Sequence, residues 1–238
     1  MSKNILMVVS NPATSTTLGG PVGFWASELI HPYDAFIREG YDVTVASPDG
    51  GHVELDAMSD PDDAGGYSAH DTLSKSYLDR PDFRALLEDT PALGDLDLDA
   101  YDAVVICGGQ APMFTFEDAG SIHDAIRQFY DAEKPTAALC HGTSALLYVT
   151  EPDGTPFLQG KTITGFTNEE EDQADQMVGQ KVMPFRIEDE ATKLGAHFET
   201  APAWTAFATR DGHLITGQQQ NSGGETARLV IDALGASA

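Results

Sequence analysis

The chain has 238 residues, 41% of them hydrophobic, enough for a substantial core, and length alone leaves one large α/β domain or two small ones open. Its 38 acidic against 13 basic side chains give a formal net charge of −25, which excludes nucleic acid and anionic membrane as partners, since both are held by basic patches. Two cysteines are too few for the disulfide framework of a small secreted protein, so free thiols are expected.

The acid is spread in short runs, such as Asp62-Asp63 and Glu169-Glu170-Glu171, among ordinary hydrophobic elements. That is the pattern of a solvated folded surface rather than of a disordered tail. Self-repulsion of such a shell weakens folding at low ionic strength and is screened within about 3 Å at molar salt, so a halophile-like protein is expected.

Met1-Ser2-Lys3-Asn4 leads straight into an apolar run too short for a membrane span and without a signal-peptide cleavage pattern, and a cytoplasmic protein is expected. The run predicts a first strand over Ile5 to Ser10. A helix follows over Gly23 to Glu39, then a strand over Val43 to Ser47. The stretch from Asp49 to Ser74, rich in glycines and acids, reads as a long loop over the sheet edge, placed to cover a site. Further helices are expected over Asp82 to Glu88, Ser121 to Ala132, Thr143 to Tyr148, Pro184 to Leu194 and Glu225 to Leu234. Strands are expected between them over Ala103 to Ile106, Thr136 to Leu139, Thr162 to Gly165 and Leu214 to Gly217.

Strand-length runs apolar on both faces imply buried strands, and their alternation with helices implies parallel crossovers in a layered α/β sandwich. No repeat, linker or shift of composition divides the chain, so one domain over 1–238 is expected. Ligands of such sheets bind beyond the carboxyl ends of the strands. There the sequence places Asn11-Pro12, Ser47-Pro48-Asp49-Gly50-Gly51, Cys107-Gly108-Gly109-Gln110 and Cys140-His141-Gly142.

Cys140 follows four strand-like residues and precedes a helix-like run, so its side chain should project from a tight turn at a helix start. Unpaired N–H groups and the helix dipole there stabilise a thiolate and an oxyanion, and Gly142 leaves room for a substrate to approach. These residues alone leave two readings open, an activated thiol and an inert buried one. Cys107 reads as a packed core thiol. The histidines His31, His52, His70, His123, His197 and His213 make no metal-ligand spacing, so no metal site is expected. Gly108-Gly109 and Gly223-Gly224 are too short for phosphate loops, and no nucleotide cofactor is expected.

Ala138-Leu139-Cys140-His141-Gly142 resembles the nucleophile elbow of the ThiJ/PfpI superfamily, a relative of class I glutamine amidotransferases. Three more segments, Gly23 to Tyr33, Val43 to Gly51 and Lys161 to Glu171, are similar to its heat-shock chaperone and glutathione-independent glyoxalase branch. Asp211 to Gln218 resembles the branch's C-terminal strand, so the likeness spans nearly the whole chain. It implies a three-layer sandwich with a mainly parallel central sheet, flavodoxin-like or class I glutamine amidotransferase-like.

The resemblance also implies a cofactor-free glyoxalase that turns methylglyoxal or glyoxal into D-lactate or glycolate through a Cys140 hemithioacetal, in a homodimer. Glu28 matches the family glutamate that reaches the reactive cysteine, and a carboxyl beside a thiolate is held protonated by charge repulsion. His141 matches the histidine that follows the cysteine. Alignment of the Gly-Phe-Thr stretch puts Glu171 at the acid that orients it, with Glu169 and Glu170 as the alternatives. Gly109 matches the position whose N–H, with that of His141, forms an oxyanion pocket. Gln110 departs from the pattern, because many members have a histidine there, and a glutamine binds a substrate oxygen without shuttling a proton. Thr143-Ser144 stands where a proline is common. Other activities of the superfamily are a holdase chaperone, a cysteine peptidase or amidase, and a protein deglycase.

Overall fold

The apolar run that opens the chain forms strand β1, Asn4–Val8, in a computed structural model that describes residues 2–236. Its apolar residues are fully buried and alternate between two cores, Ile5 and Met7 on one face and Leu6 and Val8 on the other. A short ribbon of β2 (Ala13–Thr14) and β3 (Pro21–Val22) follows, then α1 (Ala26–Arg38), β4 (Asp42–Ala46), α2 (Thr72–Leu78) and α3 (Pro81–Glu88). Next come β5 (Ala103–Ile106), α4 (Pro112–Thr115), α5 (Gly120–Asp131), β6 (Thr136–Leu139) and a 3-10 helix over Cys140–Tyr148. After these run β7 (Thr162–Ile163), α6 (Asn168–Val178), α7 (Ile187–Lys193), β8 (His197–Phe198), β9 (Ala208–Asp211), β10 (Leu214–Gly217) and α8 (Gly223–Ala236).

Six strands make the central sheet in the order β4-β1-β5-β6-β10-β9, parallel throughout except for the β9–β10 pair. Residues of α1 and α8, such as Leu29, Ile30 and Val230, share one core with Val105, Ala137 and Ile215. Residues of α5 and α7, such as Ile126, Phe129 and Ala191, share the other with Val104, Ile106 and Leu214. This is the three-layer sandwich with a mainly parallel sheet. Both cores are tightly filled, and truncating Phe129, which is 1% exposed, to Ala would cost about 3–5 kcal/mol. No helix among the described residues is long and apolar enough to cross a membrane.

Five of the six strands of the sheet lie where the apolar runs put them, to within two residues; β9 and the helices α2, α4 and α6 are additions to the expected elements, and two expected elements need correction. The run from Thr162 to Gly165 does not join the central sheet. Only Thr162–Ile163 is extended, and it pairs with β8. The Thr164 N–H is taken by the Thr216 hydroxyl at 2.8 Å, and Gly165 sits where a Cβ would meet the Thr143 side chain, so the strand stops. The helix expected over Thr143 to Tyr148 is a 3-10 turn that begins at Cys140 itself. The Thr143 hydroxyl donates to the Cys140 carbonyl at 2.6 Å and draws that turn tight.

The long loop after β4 is laid across the strand ends like an extra ribbon. Phe24 bridges to Leu55 on one side and to Gly109 on the other, and a Cβ on Gly23 would run into the Glu54 carbonyl. Its last residues already belong to α2, whose start is capped by Asp71, with Oδ1 accepting the Ser74 N–H at 3.1 Å.

Candidate active site

Two strand ends and the first helix meet at one point. β6 leaves Leu139 fully extended, and Cys140 then turns to φ +54°, a left-handed conformation that a non-glycine residue adopts at a cost of about 1–3 kcal/mol. Packing of backbone on backbone holds the turn there. A Cβ on Gly142 would come within 2.7 Å of the Ile106 carbonyl, and one on Gly108 within 2.6 Å of Glu28 Oε2 and 2.8 Å of the Gly142 nitrogen. The bare Cα of Gly142 is therefore demanded by the protein's own backbone at the end of β5. Gly109, at φ +120°, folds under Gly23 and Trp25, where a Cβ would clash.

Glu28, in the first turn of α1, is 0% exposed. Its Oε2 accepts the Gly108 N–H at 2.8 Å, and the Cys140 thiol lies beside the carboxyl. Burial pushes this carboxyl up to about 8, with hydrogen bonding to Cys140 and Gly108 opposing and the Asp56 charge adding a little. Glu28 thus holds its proton at neutral pH. Burial also pushes the Cys140 thiol well up, with the Glu28 charge adding to it and the His141 N–H opposing. The expected helix-end stabilisation of a thiolate is therefore outweighed by desolvation. The site rests with a thiol beside a carboxylic acid.

His141 stands on the other side of the sulfur. Its Nδ1 is 3.8 Å from Sγ, and its Nε2 is 3.0 Å from Glu171 Oε1 on α6, with both side chains buried. An Nε2–H that donates to Glu171 leaves the Nδ1 lone pair facing the sulfur, the tautomer a base needs. The ring is also stacked on Phe166, with centroids 4.2 Å apart.

The three neighbouring glutamates of α6 divide cleanly. Glu169 is exposed. Glu170 is consumed by structure: it closes the capping box with Thr167 and accepts the Trp204 N–H and the Gln218 amide, each at 2.9 Å. Glu171 alone reaches His141.

Cys140, His141, Glu171 and Gln110 line one cavity of about 70 Å³, roofed by Met58 and Tyr67 of the long loop and by Trp204. One water needs roughly 10–15 Å³ of such space, so the cavity suits a molecule of about five heavy atoms. Trp25, Tyr67, Trp204 and Gln220 also border an outer groove of about 570 Å³. Trp204 is a second strained residue, at φ +64°. Sequence reasoning missed it along with Asp56, a 2% exposed carboxyl of the long loop beside Gln110. Both come from irregular segments whose position is set by tertiary contacts, and only a buried-type acid in a loop thought to cover a site could have hinted at Asp56.

Cys107, at the end of β5, lies in the core below, and burial pushes its thiol well up too. Among the described residues no group of three or more His, Cys, Asp or Glu side chains could hold a metal ion.

The chain is similar to known proteins over nearly its whole length. Glyoxalase 3 of Candida albicans is 29% identical over 238 residues, 98% of each chain. The glutathione-independent glyoxalase HSP31 of Saccharomyces cerevisiae is 29% identical over 221 residues, 91% of each chain. The crystal structure of glyoxalase III from Candida albicans matches with a TM-score of 0.79 and 26% identity over 97% of both chains. The family model described as the DJ-1/PfpI family matches residues 21–233, and the chain belongs to that family.

Proposed function

We propose that the protein is a glutathione-independent glyoxalase, converting methylglyoxal or glyoxal to the 2-hydroxy acid without a cofactor. The observation that carries this reading is the wholly buried Glu28 carboxyl, pushed up to about 8 and set against the thiol of a strained elbow. A group whose proton is balanced near neutral pH suits the transfer of a proton between two adjacent carbons. The similarity to proteins named glyoxalases supports it independently.

In this reading Cys140 Sγ attacks the aldehyde carbon as His141 Nδ1 takes the thiol proton and passes it on to the aldehyde oxygen, giving the hemithioacetal and a neutral His141. The N–H groups of Gly109 and His141 hold that oxygen while it is charged. Glu28 as carboxylate then removes the hydrogen from the former aldehyde carbon and returns it to the neighbouring carbon, while the hydroxyl proton passes from the former aldehyde oxygen to the neighbouring oxygen, giving a 2-hydroxy thioester. Water, deprotonated by His141 with Glu171 behind it, attacks the thioester, releases the acid and restores the Cys140 thiol. In sum one dicarbonyl and one water give one hydroxy acid. The cavity of about 70 Å³ favours so small a substrate over a peptide.

The test is lactate formation from methylglyoxal without glutathione, in wild type and Cys140→Ala. Turnover that vanishes with the sulfur supports the reading, and folded wild type without turnover refutes it.

A further inference from the structure

The catalytic cavity has an apolar wall that the mechanism does not use. Along α6, Glu171, Ala174 and Val178 recur at the three- and four-residue spacing of one helix face, and all three line the cavity. Glu171, at one end, is buried against His141. Val178, at the other end, is 42% exposed, and its neighbour Met177, which also lines the cavity, is 61% exposed. Seven residues of helix rise about 10 Å. The cavity therefore runs from the buried sulfur to the protein surface along an apolar strip of roughly that length.

The rest of the strip is equally apolar and is held in place. Gly179, at φ +82°, ends α6, and the chain returns through Val182 and Met183, both buried and both in the cavity wall. The Asp175 carboxylate accepts the Val182 N–H at 2.7 Å, and the Thr17 hydroxyl donates to the Val182 carbonyl. The acids of the same helix, Asp172 and Asp175, pair with Arg186 at 2.6 and 3.4 Å. Among the described residues the other exposed large apolar side chains, Ile37 and Leu86, stand on α1 and α3, away from this pair. Water against such a strip is unfavourable, and each methylene that a ligand buries there raises its affinity by up to about fourfold.

We propose that this strip is a subsite for the non-reacting part of the substrate, and that the enzyme takes 2-oxoaldehydes carrying an unbranched apolar chain in preference to methylglyoxal. The inference rests on the glyoxalase reading. The two carbonyls occupy the space of about 70 Å³ beside Cys140, His141 and Gln110, and the chain lies along Ala174, Val178 and Val182 toward Met177. One 2-oxoalkanal and one water then give the 2-hydroxy acid of the same length, by the same steps as for methylglyoxal. The chain is remote from the reacting atoms and is bound alike before and during reaction, so it acts in KM more than in kcat.

The test compares methylglyoxal, 2-oxobutanal and 2-oxohexanal as substrates of wild type and of a double variant, Met177→Gln with Val178→Thr, exposed changes that keep shape and add polar groups. In wild type kcat/KM should rise about twofold for each added methylene, through KM, to roughly tenfold for 2-oxohexanal. In the double variant that ratio should fall below about threefold. A wild-type ratio near one, or the same ratio in both proteins, would overturn the proposal. So would a changed oligomeric state of the variant with the ratio kept, which would give the face to a second copy of the chain. Alkylation of Cys140 by iodoacetamide and by N-butyl iodoacetamide, each scaled to its rate with free cysteine and read by mass against Cys140→Ala, needs no turnover. The butyl reagent should react about fivefold faster with wild type and lose that advantage in the double variant. That result in a protein inactive toward every 2-oxoaldehyde would refute the glyoxalase reading and leave the apolar subsite standing, whereas equal rates would overturn the subsite itself.

Discussion

Two cysteines end neighbouring strands of the sheet, Cys107 after β5 and Cys140 after β6, and burial pushes both thiols far above their ordinary range. Their difference lies in the backbone. Cys107 continues its strand, donates its N–H to the Val8 carbonyl at 2.8 Å and packs in the core. Cys140 breaks from its strand at φ +54° and is carried out of the sheet into a cavity, between a carboxylic acid and an imidazole. Acidity of the resting thiol does not set the two sulfurs apart. The strained turn that sets Cys140 beside Glu28 and His141 does.

The largest effect that sharpens this comparison is at the sulfurs. Cys140→Ala should abolish turnover, while Cys107→Ala should keep it within about twofold and cost only about 1 kcal/mol, read by urea melts. Loss of activity in Cys107→Ala without loss of fold would break the comparison. Next is Glu28→Gln, expected to lower kcat by about a thousandfold or more.

The same substitution carries a pH signature. An unfolded glutamate ionises above its ordinary 4.5, whereas Glu28 in the fold holds its proton up to about 8. Its contribution is therefore complete below about 4.5 and is lost as pH rises toward 8, roughly 3 kcal/mol by pH 7. Glu28→Gln should melt higher than wild type at pH 8, with the gap closing by pH 4. In wild type, kcat should rise from pH 6 to 8 as the carboxylate form becomes available.

A smaller contrast lies on α6. Glu171→Gln should lower kcat by about a hundredfold with little change in stability, because it leaves the His141 tautomer unfixed. Glu170→Gln should do the reverse and destabilise by about 1–3 kcal/mol, since its carboxylate takes donors from Thr167, Trp204 and Gln218. The smallest effect is global. With a net charge of −25, melting temperature should rise by roughly 5–10 °C between low and molar potassium chloride, and a salt-independent melt would remove the halophile-like expectation.

Much of this architecture is legible in the chain because buried parallel strands are apolar on both faces. The runs at Ala103 to Ile106, Thr136 to Leu139 and Leu214 to Gly217 stand out against any helix period. β9 is not legible: Ala208–Asp211 is a part-exposed edge strand containing threonine, arginine and aspartate. Cys140, His141 and Glu28 could be picked out because their neighbours have a recognisable pattern.

The choice of Glu171 over Glu170 could not come from spacing alone, since adjacent residues on a helix differ by about 100° and only the packing of α6 shows which faces the histidine. Asp56 and Trp204 were out of reach for a deeper reason. Loop residues owe their position to contacts far along the chain, as the bridge from Phe24 to Leu55 and the hydrogen bond from Trp204 to Glu170 illustrate.

The central claim is that Cys140 captures the aldehyde and Glu28 then moves the proton. It is tested most directly by mixing Glu28→Gln with methylglyoxal in the absence of glutathione and following both lactate and the intact protein mass. The account predicts a folded variant that forms no lactate yet accumulates a Cys140 adduct with the mass of one methylglyoxal, while wild type turns over. Lactate formation by Glu28→Gln at the wild-type rate would contradict it.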